Sequence, residues 1–401
     1  MLPITGAIPE AAVKSIREAA SDRSTVKGLT HGFYRYPARF SPKFVASAIN
    51  TFSTPGQVVL DPYMGGGTTI VEAYSKGRIA IGCDLNSLAV FVTRAKVTQL
   101  NDSEQKEVKY WATKVVPTLS YHTVTDEVAD LICSYRTKNL DLPRARPAKK
   151  FIALAILSIS DLSSNKAKDF ARAILLNAAQ WALNNRKAAP SLDRIRGRIV
   201  MLCDDMISSL KELNMLVEQN NVCPTDPVII HGTAVDLPEQ KPFVDGLKAN
   251  LIVTSPPYPG IHILYHRWQV DGRKETPAPY WIANCYDGKG ASFYNFADRN
   301  VMHEDDYFSE SLRTLCSIRK VMKDGSIMVQ MIAFSNPRRQ LPKYLDNMQK
   351  AGFVEIHETQ SGDTKRKFRR IWRSVPSRVW YANLKGNTNS SREIVLLHLA
   401  N

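Results

Sequence analysis

The chain has 401 residues, with 53 lysines and arginines against 38 acids and a net charge of +15. Hydrophobic residues make up 44% and charged residues 23%, an ordinary globular balance that excludes wholesale disorder or a low-complexity filament. The best apolar run, residues 151–159, is far shorter than the ~20 residues of a membrane helix, and Ser160 and Asp161 follow it.

The N-terminal segment carries Glu10 and Glu18 and no apolar signal-peptide core, so a cytoplasmic chain is expected. Val58-Val59-Leu60 reads as a strand ending at Asp61-Pro62. Gly65-Gly66-Gly67-Thr68-Thr69 turns into a helix through Ile70, Val71, Ala73 and Tyr74, which Gly77 stops. Residues 79–82 form a second strand before Cys83-Asp84, completing a β-α-β unit of the parallel, doubly wound kind. From about 101 to 226 the pattern is mostly helical, with a break at Ser163-Ser164-Asn165 and prolines at 117, 143, 147 and 190. Strands resume at 228–230 and 251–253. A helix follows at 305–322, then a turn at Asp324-Gly325 and a strand at 327–329. A helix at 341–350 and strands at 353–356 and 394–399 end the pattern. The expected architecture is α/β: a catalytic unit of residues 1–100 and 227–401, split by a helical insertion at 101–226.

Six cysteines stand without a CxxC pair, which argues against a zinc ribbon or a disulfide framework and for buried reduced thiols. The excess of cations suits a polyanionic partner.

Two motifs carry chemistry. The first is Asp61-Pro62-Tyr63-Met64-Gly65-Gly66-Gly67-Thr68-Thr69. A glycine turn between strand and helix lets a ligand approach the backbone and meet helix N–H groups. The third glycine of a dinucleotide fingerprint is missing, which disfavours an NAD enzyme. Asp61, ahead of the glycines, suits a cationic ligand group such as the ammonium of a methionine moiety. Asp84, ending the second strand, stands where a carboxylate grips a ribose diol. The second motif is Thr254-Ser255-Pro256-Pro257-Tyr258, directly after an apolar strand. Two prolines fix the backbone, remove two donors and leave their carbonyls to accept. A proline carbonyl beside a serine hydroxyl can take both hydrogens of an exocyclic amino group, and Tyr258 offers a ring for stacking.

With both motifs present, the chain resembles the S-adenosylmethionine-dependent amino-group DNA methyltransferases, of the Ser-Pro-Pro-Tyr type. The segment His31, then Tyr36-Pro37-Ala38-Arg39-Phe40-Ser41-Pro42-Lys43-Phe44, is similar to the family element that covers the methionine end of the cofactor. The resemblance spans roughly residues 30–90 and 228–400. It implies a Rossmann-like doubly wound methyltransferase sheet with a large, mostly helical insertion as a possible target-recognition region. It implies S-adenosylmethionine as cofactor, with Phe40, Asp61, Pro62, Gly65, Gly67, Thr68, Thr69 and Asp84 around it and Asp236 and Leu237 at the adenine. Ser255, Pro256, Pro257 and Tyr258 would be catalytic. Double-stranded DNA is the implied partner, with nucleoid association and no metal or membrane, and a cognate restriction endonuclease is left open.

Cofactor loop first and tetrapeptide last resembles the permutation in which an Asp or Asn tetrapeptide is commonest; here Ser255 stands instead. Ser-Pro-Pro-Tyr is most like the cytosine-N4 enzymes. Adenine-N6 methylation and RNA base amino-methylation are the alternatives. Methylation at cytosine C5 would need a Pro-Cys dipeptide, and none occurs. A non-catalytic DNA-binding module on the same fold is disfavoured by the intact motifs. The implied reaction is direct displacement on an extruded base, driven by positioning and electrostatics.

Lys365, Arg366, Lys367, Arg369, Arg370 and Arg373 form an acid-free stretch expected to contact DNA phosphates. A second basic stretch runs through Arg136, Lys138, Arg144, Arg146, Lys149 and Lys150. Aromatic residues after the tetrapeptide, Tyr265, Trp268, Tyr280, Trp281, Tyr286, Phe293 and Tyr294, read either as walls of a base pocket or as core. His262 and His266 have no third ligand and read as solvated or base-contacting.

Overall fold

Runs of Val, Ile and Leu bounded by turn residues become the strands of a central sheet. The computed structural model describes residues 7–8, 10–22, 24–36, 39–120, 125–134, 137–220, 225–259, 268–272, 274–285, 304–358, 370–374 and 392–401. Its strands are β1 (Ala7–Ile8), β2 (Val58–Asp61), β3 (Ile79–Asp84), β4 (Val228–His231), β5 (Ala249–Thr254), β6 (Trp268–Val270), β7 (Lys274–Thr276), β8 (Met322–Ala333), β9 (Phe353–Glu355), β10 (His357–Glu358), β11 (Ile371–Ser374) and β12 (Arg392–Ala400). Its helices begin with α1 (Glu10–Ser21), α2 (Pro42–Phe52), α3 (Thr68–Ser75), α4 (Ser87–Val97), α5 (Asp102–Tyr110) and α6 (Asp126–Ser134). They continue with α7 (Arg146–Ile159), α8 (Asn165–Leu183), α9 (Leu192–Gln219), α10 (Ala278–Ala283), α11 (Glu304–Lys320) and α12 (Pro337–Lys350).

Among the described residues the main sheet has the order β11-β12-β8-β5-β2-β3-β4, with β9 also paired to β12. β4, β3, β2, β5 and β8 run parallel, and β12 turns antiparallel against β8. From β2 the chain steps outward through β3 to β4, then returns to β5 on the other side of β2. The strand order therefore reverses between β2 and β5. In open α/β sheets a ligand crevice opens at such a point, outside the carboxyl ends of the strands.

The central strands are buried almost throughout, with successive side chains facing opposite cores, as a sheet covered on both faces requires. Val59, Leu251, Val253, Val329, Met331, Val395 and Leu397 face a core shared with α1, α2 and α3. Val58, Leu60, Ile81, Ile252, Met328, Ile394 and Leu396 face the opposite core, closed by α11 and α12. This bears out the Rossmann-like α/β class.

The expected helical stretch comprises α5 to α9. Asn101 and Glu104 start α5 with a reciprocal capping box. The break at 163–165 is the start of α8, where the Ser164 hydroxyl accepts from the Ala167 amide. α8 is buried along most of its Ala- and Leu-rich length, because α7, α9 and α10 surround it. Its core continues into α4 and into β6 and α10, which follow the tetrapeptide in sequence. One local expectation fails: Asp324-Gly325 is no turn between elements. β8 runs through it from Met322, with Gly325 at φ 77°. The pairing of β5 with β8 shifts register beside this point, and the irregularity absorbs the turn-forming pair.

Candidate active site

The glycine loop is a clamped cradle at the end of β2. Gly67 closes it in the left-handed region, φ 74°, as the cap of α3. A Cβ there would lie 2.5 Å from the Thr93 hydroxyl, and one at Gly66 would lie 2.8 Å from Tyr36 Cβ. Only glycine therefore lets α4 and the Tyr36 segment close on the loop. Thr93 Oγ1 donates to the Gly65 carbonyl at 3.3 Å and Lys96 Nζ to the Gly66 carbonyl at 2.6 Å. The Lys96 ammonium is 1% exposed, and burial, with Arg39 nearby, pulls its pKa down to about 7.

Three predicted carboxylates gather here. Asp61, 2% exposed, accepts from Thr254 Oγ1 at 2.6 Å and from the Tyr63 amide at 3.1 Å. Burial outweighs these donors and pushes its pKa up to about 6. The Thr254 bond spans the reversal point, tying the end of β2 to the residue just before the tetrapeptide. Asp84 accepts from the Gly65 amide and the Asn86 amide, each at 2.8 Å, and burial raises it to about 6 as well. Asp236 is exposed on the 3-10 turn Ala234–Glu239, while Leu237 is buried in the core beneath. The Cys83 thiol is pushed up by burial, then by Asp84, Asp236 and Asp61, so all three acids surround one sulfur.

The other predicted loop residues are more enclosed. Pro62, Thr68 and Thr69 are buried, and Thr69 Oγ1 donates to the Val253 carbonyl at 3.1 Å. Phe40 is buried against Phe44, with ring centroids 5.8 Å apart. Its segment is anchored to α3 through His31 Nε2 and Glu72 Oε1, 2.9 Å apart, and Lys76 braces the same carboxylate at 2.7 Å.

Ser255 and Pro256 leave β5 beside this cradle. Ser255 Oγ and the Tyr258 hydroxyl lie 2.9 Å apart. The Tyr258 hydroxyl donates to Glu393 Oε1 at 3.1 Å, and Arg373 Nε donates to Glu393 Oε2 at 2.7 Å. Tyr307 donates to the Pro257 carbonyl at 2.7 Å. The tetrapeptide is thus braced from β12, β11 and α11. Glu393, 4% exposed, carries no local sequence signal. Only the antiparallel pairing of β12 brings it here. Thr254 opens the second motif, but its bond to Asp61 has no signal in the sequence.

The expected basic contacts divide. Lys365, Arg366, Lys367 and Arg369 lie outside the described residues. Arg370 pairs with Glu355 through two bonds of 2.8 and 3.0 Å, and Arg373 is held by Glu393. In the second stretch Arg136 lies outside the described residues, and Lys149 is buried on Asp141. Trp268, Tyr280 and Trp281 are core. Trp268 Nε1 donates to the Tyr34 hydroxyl at 2.9 Å and Tyr280 donates to Asn86 Oδ1 at 3.0 Å. They pin the Tyr34–Tyr36 segment to α4. Tyr265, Tyr286, Phe293, Tyr294, His262 and His266 lie outside the described residues. Of the cysteines, Cys83 and Cys203 are buried, Cys285 and Cys316 half-buried and Cys133 exposed, all as free thiols, and Cys223 lies outside the described residues.

The reversed sheet order and the acid-lined glycine cradle define an α/β protein with a Rossmann-like, doubly wound sheet. Residues 15–92 match the profile of a DNA methylase family. A type II methyltransferase, M.MjaII, of Methanocaldococcus jannaschii is 27% identical over 78 residues, covering 20% of this chain and 15% of that protein. Another, M.MvaI of Kocuria varians, is 23% identical over 256 residues, covering 59% of this chain and 54% of that protein. The chain thus spans about half or less of these relatives. Among solved structures, an rRNA methyltransferase, aviRa, of Streptomyces viridochromogenes aligns over 94% of both chains at 8% identity and TM-score 0.37. TrmN of Thermus thermophilus aligns over 90% of this chain and 49% of its own, at 9% identity and TM-score 0.31. At low identity, these matches make the chain similar to amino-group DNA methyltransferases.

Proposed function

We propose that the chain is a site-specific DNA methyltransferase acting on the exocyclic amino group of an extruded base, with cytosine N4 as the first choice. One observation carries the reading: the Thr254–Asp61 bond holds the Ser255-Pro256-Pro257-Tyr258 loop against the acidic glycine cradle at the sheet's reversal point.

The cradle's chemistry fits S-adenosylmethionine. Asp61 is a buried carboxylate whose described partners are neutral donors, so an ammonium would complete it. Asp84 uses two of its roughly four acceptor positions on backbone amides, leaving capacity for hydroxyls. Gly65 and Gly67 let the ligand lie against bare backbone. When bound, the cofactor supplies an electrophilic methyl on a positively charged sulfur. Ser255 Oγ and the Pro256 carbonyl orient the amine hydrogens, so that the nitrogen lone pair faces the methyl carbon. Glu393 fixes the Tyr258 hydroxyl, and with it the serine hydroxyl and the ring on which the base stacks. No covalent enzyme intermediate is needed, and positioning supplies most of the rate. Residues 101–226 form the insertion in this reading.

Incubating the protein with radiolabelled S-adenosylmethionine and duplex DNA, then resolving methylated nucleosides by mass spectrometry, tests the proposal. N4-methylcytosine is expected. N6-methyladenine would move the base assignment while keeping the reaction class. Methyl transfer to RNA alone would overturn the DNA substrate. Ser255→Ala should lose transfer while cofactor binding persists in calorimetry, and equal turnover would remove the tetrapeptide from catalysis.

A further inference from the structure

The helical insertion carries a cluster of cations that neither motif uses. Trp181, near the end of α8, has three guanidiniums around its ring: Arg186 at 5.1 Å from the centroid, Arg198 at 5.9 Å and Arg194 at 6.0 Å. Arg186 is further fixed by donating from Nε to the Trp181 carbonyl at 2.7 Å. Residues 186–198 hold five cations, Arg186, Lys187, Arg194, Arg196 and Arg198, against the single acid Asp193. Asp193 is taken by Arg196 at 2.7 Å. Among the described residues, Arg186, Arg194 and Arg198 have no carboxylate partner. The Nε atoms of Arg196 and Arg198 are buried without any hydrogen-bond partner.

An indole face attracts each guanidinium by only about 0.5–1 kcal/mol at an exposed site, while three like charges repel one another. Held by the ring and without a carboxylate among the described residues, they form a preset receptor for anions. The cluster also continues toward the active site. Gln180, next to Trp181, holds the backbone of Arg35 through bonds of 3.1 and 3.0 Å. Arg35 is exposed and close enough to Arg39 for its charge to depress the Arg39 guanidinium, after burial. Arg39 adjoins Phe40 and the glycine cradle. Among the described residues, guanidiniums without a carboxylate partner thus occur from the cofactor segment, where Arg39 Nη1 donates only to the His31 carbonyl at 3.3 Å, out to α8 and α9. By contrast, Arg370 and Arg373, the described members of the basic stretch singled out in the sequence, are spent on Glu355 and Glu393.

We propose that the Trp181 cluster, Arg186, Arg194 and Arg198, is the surface where the insertion grips the phosphodiester backbone of duplex DNA, with Arg35 leading that track to the catalytic loop. This rests on the DNA reading of the active site. Planar guanidiniums fix phosphate geometry as well as charge, which suits positioning of a duplex beside an extruded base.

The test compares wild type with Arg186→Gln/Arg194→Gln/Arg198→Gln and with Lys106→Gln/Lys211→Gln/Lys323→Gln, which removes equal charge from exposed positions elsewhere. Binding of fluorescent duplex is measured from about 50 to about 200 mM salt, where each lost phosphate contact lowers the slope of log affinity against log salt by about 0.9. The arginine variant should lose a slope of roughly 2–3 and bind roughly 10- to 100-fold more weakly. Its cofactor affinity should stay unchanged, and a cooperative melting transition shows that it is folded. Replacing the same three arginines with lysine should restore most of the slope. Binding equal to wild type, or no weaker than the lysine control, overturns the surface while leaving the active-site reading intact. A loss seen only with structured RNA overturns the choice of partner. Absence of any duplex binding or DNA methylation by wild type overturns both.

Discussion

Asp61→Asn isolates the energetic cost built into the glycine cradle proposed to hold the cofactor. Asp61 is buried among neutral donors, and its pKa rises from 3.8 to about 6 on folding. At about 1.4 kcal/mol for each tenfold change in proton affinity, the ionised side chain costs the apo fold about 3 kcal/mol. The sign follows from linkage. Below pH 3.8 the group is protonated in both states, so the penalty is absent. Between 3.8 and about 6 the unfolded chain gives up its proton first, and stability falls as pH rises, levelling off above the folded value. Asparagine cannot ionise, yet its oxygen still accepts from Thr254 or the Tyr63 amide. Urea unfolding of both proteins from about pH 4 to about pH 7 should therefore show wild type losing about 3 kcal/mol relative to the variant. The same charge should serve ligand binding. Cofactor affinity of wild type should fall as pH drops through about 6, and that of Asp61→Asn should be weaker and flat with pH. Parallel stability profiles would refute the buried, unpaired carboxylate, and undiminished affinity in the variant would remove Asp61 from the cofactor site.

Glu393→Gln weakens the acceptor that fixes the Tyr258 hydroxyl. Single-turnover methyl transfer should slow by roughly 10- to 100-fold with cofactor affinity unchanged, as expected of a misplaced catalytic group, and an unaltered rate would make the Glu393 brace purely structural. Gly67→Ala places a Cβ 2.5 Å from Thr93 Oγ1 at φ 74°. Left-handed backbone and overpacking together should cost roughly 2–4 kcal/mol in denaturant unfolding, and a cost under half a kcal/mol would contradict the close approach of α4. Trp268→Phe deletes the donor to Tyr34. Stability should drop by about 1–3 kcal/mol while the KM for DNA holds, and a change confined to KM would return Trp268 to a base pocket.

Periodicity and turn residues made most of the sheet legible. The strands at 58–61, 79–84, 228–231 and 249–254 are short apolar runs ended by Asp, Gly or Pro, and in a parallel sheet such runs are buried on both faces. The short strands β6, β7 and β11 lack that signal, because two form a hairpin on the helical core and the third is an edge. The aromatic segment shows the limit of composition: Trp268, Tyr280 and Trp281 are chemically suited to a pocket and to a core alike, and only the packing of α8 and α10 chose core.

By itself the sequence determined the acid and glycine spacing of the cradle and the proline-stiffened tetrapeptide, because both depend on local backbone conformation. It also placed each at the end of a strand. Tertiary structure alone decided what surrounds them. The reversal of strand order set Asp61 beside Thr254, and the antiparallel return of β12 put Glu393 behind Tyr258. Which cations remain for a polyanion was likewise decided by pairing across the fold. Glu355 and Glu393 occupy Arg370 and Arg373, whereas the turn from α8 into α9 leaves Arg186, Arg194 and Arg198 around one indole with no acid partner among the described residues. Charge counts add along a chain, but whether a charge is neutralised depends on contacts between residues far apart in sequence.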